Sequence, residues 1–314
     1  MTIHIRPFTA TDYPALATLL SEQEREPTTA ERLADQDARR PPSAIVMRLV
    51  AEDETGRMVG YALGSHVLAM PAGQFIARVR VRASHEGQGV GRQLWNAQLS
   101  LLRERGATKI ETSVKETDRR AHQIALREGF VQTHHLFEST LNLPPWSPEP
   151  WLETVRSIES TGIRFTSLAE LGMTETWLRR VHQSNQRLEH DVPAYENRGE
   201  MPYEEWLTFI KDNPSMPPEG MHIALDGEQI AAMSLAHQQA SGALYNTFTG
   251  VERAYRGRGL ALAMKVRALI WAKSTGAPYI RTNNHSVNGP MLAINQRLGY
   301  IPEPGRLILA KSLT

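Results

Sequence analysis

Along the first half of the chain, short apolar runs bounded by polar turns predict strands over residues 3–6, 44–51, 58–66 and 74–82. The second and third of these are joined by Glu52-Asp53-Glu54-Thr55-Gly56, a polar turn suited to a hairpin. Between the first two, Tyr13, Leu16, Leu19 and Leu20 fall on one face of a helix expected over 11–22, and Thr28-Thr29-Ala30-Glu31 reads as a second, capped helix start. Val90, Leu94, Ala97, Leu99, Leu101 and Leu102 are spaced for a buried helix that ends near Gly106, where a C-cap glycine is expected. A strand over 109–114, a helix over 118–128 closed by Gly129, and a strand over 131–143 complete this half.

The second half repeats the plan. Strands are expected over 163–167, 222–225, 230–237, 242–251 and 279–283, and helices over 175–186, 259–275 and 289–297, with a long polar segment after the first helix. The repeat has a fixed register: Gly87 and Gly257, Gly89 and Gly259, Val81 and Val251, Ile110 and Ile280, and Gly129-Phe130 and Gly299-Tyr300 all stand 170 residues apart. The proline-dense run Pro144-Pro145-Trp146-Ser147-Pro148-Glu149-Pro150 interrupts regular structure between the copies. The sequence therefore predicts domains over 1–143 and 153–314, joined by a linker at 144–152.

Composition narrows the function. A chain of 314 residues suits two domains, each large enough for its own core. With 35 basic and 34 acidic residues there is no basic footprint for nucleic acid or an anionic membrane. The absence of cysteine removes disulfides, thiolate metal sites and a cysteine nucleophile, and no metal site is expected. The N-terminus lacks a basic region followed by an apolar run, and no apolar stretch approaches about 18 residues, so a soluble cytoplasmic protein, monomeric or homodimeric, is the expectation.

The chemistry gathers at Arg256-Gly257-Arg258-Gly259-Leu260-Ala261 and its counterpart Glu86-Gly87-Gln88-Gly89-Val90-Gly91, each between an expected strand and an expected helix. Glycines let the main chain approach a diphosphate, a helix N-terminus adds partial positive charge, and Arg256 and Arg258 add full charges. Neither the P-loop nor the dinucleotide fingerprint fits the spacing. The pattern Arg-x-x-Gly-x-Gly/Ala resembles the GNAT superfamily of N-acetyltransferases. Thr249-Gly250-Val251, Asn288, Met291, Asn295 and Leu298-Gly299-Tyr300 stand where that family's other landmarks fall. The resemblance covers the C-terminal half of each domain, and the tandem arrangement is similar to mycothiol synthase-like enzymes.

The resemblance implies an α/β (α+β) fold of two GNAT-like domains, each a mixed, mostly antiparallel sheet flanked by helices, with acetyl-CoA as cofactor. It implies contacts from Thr249, Gly250, Val251, Arg256, Gly257, Arg258, Gly259, Leu260, Ala261, Asn288 and Asn295. Weaker contacts are implied from Val79, Val81, Gly87, Gln88, Gly89, Val90, Gly91 and Arg92. Glu86 and Asp118 place carboxylates in the first copy where the family has Arg or Gln and Asn, so that copy is expected to be degenerate or weakly binding. Arg78, Arg80 and Arg82 share one face of the strand entering that turn, either as an anion site or as a paired, solvated face.

For the chemistry, the resemblance implies direct attack of a small-molecule amine on the thioester, with oxyanion donors on the backbone around Thr249–Val251. Asn295, and Ala125 in the first copy, stand where the family has an acid tyrosine. Asn295 can hydrogen-bond a thiolate, and Tyr245 and Tyr300 are substitutes with packing as their other reading. His237 and His285 are candidate bases with structural roles as the alternative. Glu189, Asp191, Glu196, Glu200, Glu204 and Glu205, opposed nearby only by Arg198, form either an amine-attracting wall or a solvated loop. The missing tyrosine leaves a non-catalytic CoA-binding module as the alternative, and nothing in the pattern supports a kinase.

Overall fold

The alternation of the first half resolves into β1 (His4–Pro7), α1 (Tyr13–Ser21), α2 (Ala30–Ala38), β2 (Ile45–Glu52), β3 (Met58–His66), β4 (Gln74–Val81), α3 (Val90–Glu104), β5 (Lys109–Lys115), α4 (Arg119–Arg127) and β6 (Val131–Asn142). This computed structural model describes residues 2–22, 27–41, 43–66, 70–193, 199–211 and 213–313. The second half follows with α5 (Glu149–Glu159), β7 (Ile163–Ser167), α6 (Glu175–Glu189), α7 (Tyr203–Lys211), β8 (Met221–Asp226), β9 (Gln229–Gln238), β10 (Leu244–Val251), α8 (Leu260–Ser274), β11 (Tyr279–His285), α9 (Gly289–Leu298), β12 (Ile301–Pro302) and β13 (Arg306–Ser312).

Two compact units result, Met1–Thr133 with Arg306–Thr314, and His134–Gly305. In the first, β1 to β4 form an antiparallel meander, β4 pairs parallel with β5, and β13 pairs antiparallel with β5. In the second, β7 to β10 form the meander, β10 pairs parallel with β11, and residues 136–142 of β6 pair antiparallel with β11. Each unit is a mixed, mostly antiparallel sheet flanked by helices. The covalent division drawn at 144–152 follows the repeat, whereas each compact unit takes its last strand from the other half of the sequence. That strand covers what would otherwise be an open sheet edge.

The proline run does not remain a linker throughout. Pro148 caps α5 and Pro150 sits in its first turn, where the missing N–H costs nothing. A helix there is needed because α8 buries Leu260, Leu262, Ala263, Met264, Val266, Ala268, Leu269 and Ala272. A helix apolar on nearly every side must be covered on more than its sheet face, and Val155 and Ile158 of α5 join the same core. On the opposite face of the second sheet, α6 and α7 bury Leu178, Val181, Leu188, Trp206 and Ile210. No helix among the described residues is long and apolar enough to cross a membrane.

One core residue makes this unit acid-sensitive. His222 of β8 lies edge-on to Trp271, their ring centres 5.7 Å apart, and burial, then Arg267, lowers its pKa to about 4. A histidine held neutral in the fold and free to charge on unfolding stabilises above its unfolded value near 6.5. That contribution is lost as pH falls toward 4. Wild type is therefore expected to lose about 3 kcal/mol between pH 7 and 4 through this group. His222→Leu should flatten that part of the curve, as checked by urea unfolding across the range.

Candidate functional site

Both glycine turns have the same backbone. Gly257 and Gly259 have φ of +76° and +83°, and Gly87 and Gly89 have +76° and +84°. These angles are strained for any side chain, so sequence spacing and geometry have one cause. Gly259 caps α8 and Gly89 caps α3, leaving first-turn N–H groups without intrahelical acceptors. Leu260 is buried beneath the turn, while Arg256, Gly257, Arg258 and Gly259 are exposed and Ala261 is half-buried. Arg258 lies over the Tyr255 ring at 5.3 Å.

Arg256 is held in place. Its Nε donates to the Val251 carbonyl at 3.1 Å and its guanidinium pairs with Asp191, which Arg253 also grips at 2.7 Å. Hydrogen bonds from Arg253, then Arg256, lower the Asp191 pKa. The acidic segment is therefore opposed by cations from distant elements: Asp191 by Arg253 and Arg256, and Glu204 by Arg179. Glu196 and Arg198 lie outside the described residues.

The two copies differ in the strand entering the turn. The β10 ladder with β9 shifts register between Asn246 and Phe248, a bulge at Thr247, whereas β4 pairs with β3 without a shift. Partners across the parallel ladders show the insertion. Ile110 faces Phe75 and its repeat mate Ile280 faces Leu244, so the offset before Thr247 is one residue less than after it. The extra residue resets the alternation. Leu244 and Val251, seven positions apart, both reach the core beneath α8, and Phe248 joins the core beneath α6.

Asn246 holds the bulge. Its buried Nδ2 donates to the Leu235 carbonyl at 2.9 Å, the Phe248 carbonyl at 3.2 Å and Ser234 Oγ at 2.9 Å, while its Oδ1 accepts from Thr249 Oγ1 at 3.1 Å. By strand pairing, Ala77 is its counterpart in the first unit, and it has no group to do this. Pairing of β10 with β11 stops at Asn246, although β10 runs on to Val251. The strands part there, so Thr249, Gly250 and Val251 offer main-chain groups on that side with no β11 partner. A side chain at Gly250 would run within 2.6 Å of the Phe248 ring.

Uncharged polar side chains line the α8 and α9 side of this parting. Thr282 Oγ1 donates to the Asn246 carbonyl at 3.0 Å, and Asn284 Nδ2 to Ser139 Oγ at 2.9 Å. Asn295 Nδ2 donates to Asn284 Oδ1 at 2.7 Å, while the buried Asn295 Oδ1 has no partner. Asn288 is the N-cap of α9, and Asp118 caps α4 with Oδ1 2.9 Å from the Ala121 N–H. Capping accounts for both residue types at this position.

On the other side of the parting the structure brings His237 and Tyr245 together. Their rings stack at 5.3 Å and 26°, and His237 Nδ1 lies 2.9 Å from Oγ1 of the bulged Thr247. His237 and Tyr245 are half-buried and Thr247 is exposed. His285 is not placed like this. It is 8% exposed, its Nδ1 accepts from the Val287 N–H at 3.2 Å, and its Nε2 lies 3.0 Å from His134 Nδ1. Tyr300 is in the core beneath α8, where burial raises its pKa.

In the first unit Val90 is buried, Val79 and Val81 pack on the core beneath α3, and Gln88 Nε2 donates to the Ser84 carbonyl at 2.9 Å. Gly91 meets Val81, and Arg92 is exposed. Arg82 is buried, ion-paired with Glu22, so one of the three aligned arginines is structural. Arg120 brings a guanidinium 3.4 Å from where a Gly87 Cβ would stand, a cation the sequence reading of Glu86 and Asp118 missed.

The acetyltransferase (GNAT) family model matches residues 12–130. Among solved structures, a GCN5-related N-acetyltransferase from Sphaerobacter thermophilus aligns with a TM-score of 0.75 at 17% identity, covering 99% of this chain and 95% of that one. A tandem GNAT protein from the clavulanic acid biosynthesis pathway, solved without AcCoA, aligns at 0.76 and 17%, covering 99% and 98%. The glucosamine N-acetyltransferase region of a fungal multi-domain GH3 β-N-acetylglucosaminidase aligns at 0.73 and 15%, covering 98% of this chain and 38% of that one. At these identities the likeness is one of fold. No curated protein sequence matches the chain.

Proposed function

We propose that this chain is an N-acetyltransferase: the acetyltransferase (GNAT) family model matches residues 12–130, and members of that family generally use acyl-CoA. It would move an acetyl group from acetyl-CoA to a primary amine, with the second unit as the centre of reaction. The observation that carries this reading is the bulged β10, parted from β11 and leading directly into the Arg256–Ala261 turn.

The residues present fit acetyl-CoA. The turn offers main-chain donors, Arg256 and Arg258 for a diphosphate; the parting offers Thr249, Gly250 and Val251; and the orphaned Asn295 Oδ1 awaits a donor. Bound there, acetyl-CoA supplies the activated acyl group. His237 takes the proton of the acceptor amine at Nε2, with its Nδ1–H donating to Thr247 Oγ1, which fixes the tautomer a base requires. Main-chain N–H groups beyond the bulge hold the carbonyl oxygen as it gains charge. Tyr245 orients the imidazole through the stack.

A non-catalytic CoA-binding module is the second reading, favoured by asparagine at 295. Calorimetric titration with acetyl-CoA and a thiol-release assay over a panel of primary amines separate the two. Binding with amine-dependent thiol release is expected, and binding without release on any amine would favour the module.

A further inference from the structure

Helix α8 carries a charge where the helix has no use for one. Lys265 is 2% exposed amid Met264, Val266, Leu269 and Ala263, and among the described residues it forms no ion pair. Its Nζ makes one hydrogen bond, 3.2 Å to Thr282 Oγ1, and lies 5.3 Å from the centre of the Tyr300 ring. Thr282 in turn donates to the Asn246 carbonyl, where β10 and β11 part. Two of the three donors of an ammonium there are therefore left for a ligand. The groups placed against the amine are Thr282 of β11 and Tyr300 after α9. Neither is a carboxylate, and burial alone lowers the pKa of Lys265 to about 7. In the first unit the same place in the repeat holds Trp95, which packs on Phe130 at 5.7 Å. An apolar pair is thus sufficient for the fold, and a lone buried amine destabilises it.

We infer that Lys265 is a catalytic residue of the second unit: its ammonium meets the thiolate that departs from the acyl donor and protonates it. This rests on the reading that the second unit transfers acyl groups. As the thioester C–S bond breaks, sulfur keeps the electron pair. Nζ gives up one proton, leaving a free thiol and a neutral amine, and solvent restores that proton. The amine proton leaves separately through His237. The site therefore has a base on one side of the parting and an acid on the other, and the acid stands on α8 rather than at position 295. A group poised near neutrality can give and regain a proton in each cycle.

The test is Lys265→Met, which keeps length and apolar stem. Its melting temperature should rise by about 5 °C or more at pH 7, because a desolvated amine is removed, so lost activity cannot be ascribed to misfolding. With acetyl-CoA, kcat should fall about a hundredfold or more while KM stays within threefold. The deficit should shrink tenfold or more with an acetyl donor bearing an acidic aryl thiol, which needs no proton to leave. Independently of turnover, ultraviolet titration of CoA bound to the protein should show thiolate forming at lower pH in wild type than in Lys265→Met. An unchanged kcat, or equal thiol titrations in both proteins, overturns the assignment of Lys265. Failure of wild type itself to bind CoA overturns instead the underlying reading of the second unit.

Discussion

Gly259→Glu is expected to abolish acetyl-CoA binding, with a loss of a hundredfold or more in affinity. Two effects act together. A side chain at φ +83° strains the backbone by about 1–2 kcal/mol, and a carboxylate at the mouth of the turn repels a diphosphate by an amount on the order of 1–4 kcal/mol at contact distance. Among the described residues outside its own chain neighbours, a Cβ there would meet Ile158 alone within 4 Å, at 3.6 Å, so crowding adds little and the unit should stay folded. Gly89→Glu imposes the same strain at φ +84° and should leave affinity almost unchanged, because the strand leading to that turn carries no bulge and no asparagine to hold one. Comparable losses in the two variants would show that the first unit carries the binding, and the family match to residues 12–130 makes that outcome a sharp alternative.

His237→Gln should lower kcat by about a hundredfold to ten-thousandfold, the range for loss of a general base, with little change in KM for acetyl-CoA. Rate should rise with pH where the base must be neutral to accept and then fall as Lys265 loses its proton, and the rising limb should vanish in the variant. Thr247→Val, which keeps the ring but removes the group opposite Nδ1, should fall between the two. His285→Gln makes a useful contrast. His285 is packed against His134 and the Val287 amide, so its loss should act on stability more than on the pH profile. Steady-state kinetics of the three variants across pH 6 to 9, about the span in which an imidazole and an amine exchange protons, distinguish these roles.

The turns were legible in the sequence because a positive φ leaves the chain little choice but glycine, and both copies record it at Gly87, Gly89, Gly257 and Gly259. The meander strands were legible through their apolar runs. The bulge was not, since the fixed offset holds from Val81 onward and conceals one inserted residue upstream; only strand pairing reveals that Thr247 has no mate. A usable signal was present in Asn246, a buried polar residue in a strand whose counterpart is apolar. Helix α5 was hidden by prolines that open it, and α7 by the charged surface of its first turn, Glu204 and Glu205. The exchange of last strands lay beyond periodicity, which specifies that a strand forms and not which sheet receives it.

Lys265 shows the same division between local and global information. Its place in the run Leu262-Ala263-Met264-Lys265-Val266 is visible in the sequence, yet only the fold reveals that the amine is buried against Thr282 and the Tyr300 ring. Asp191 is the converse case. It reads as part of an acidic wall, but the fold spends it on Arg253 and Arg256, which orients the turn's own arginine.

The central claim is that one unit, the second, holds the acyl donor. Calorimetric titration of the intact chain with acetyl-CoA tests it most directly, run on wild type, Gly259→Glu and Gly89→Glu. The account predicts one molecule bound per chain in wild type and in Gly89→Glu, and none in Gly259→Glu. Two molecules per chain in wild type, or one that survives Gly259→Glu and is lost in Gly89→Glu, would contradict it.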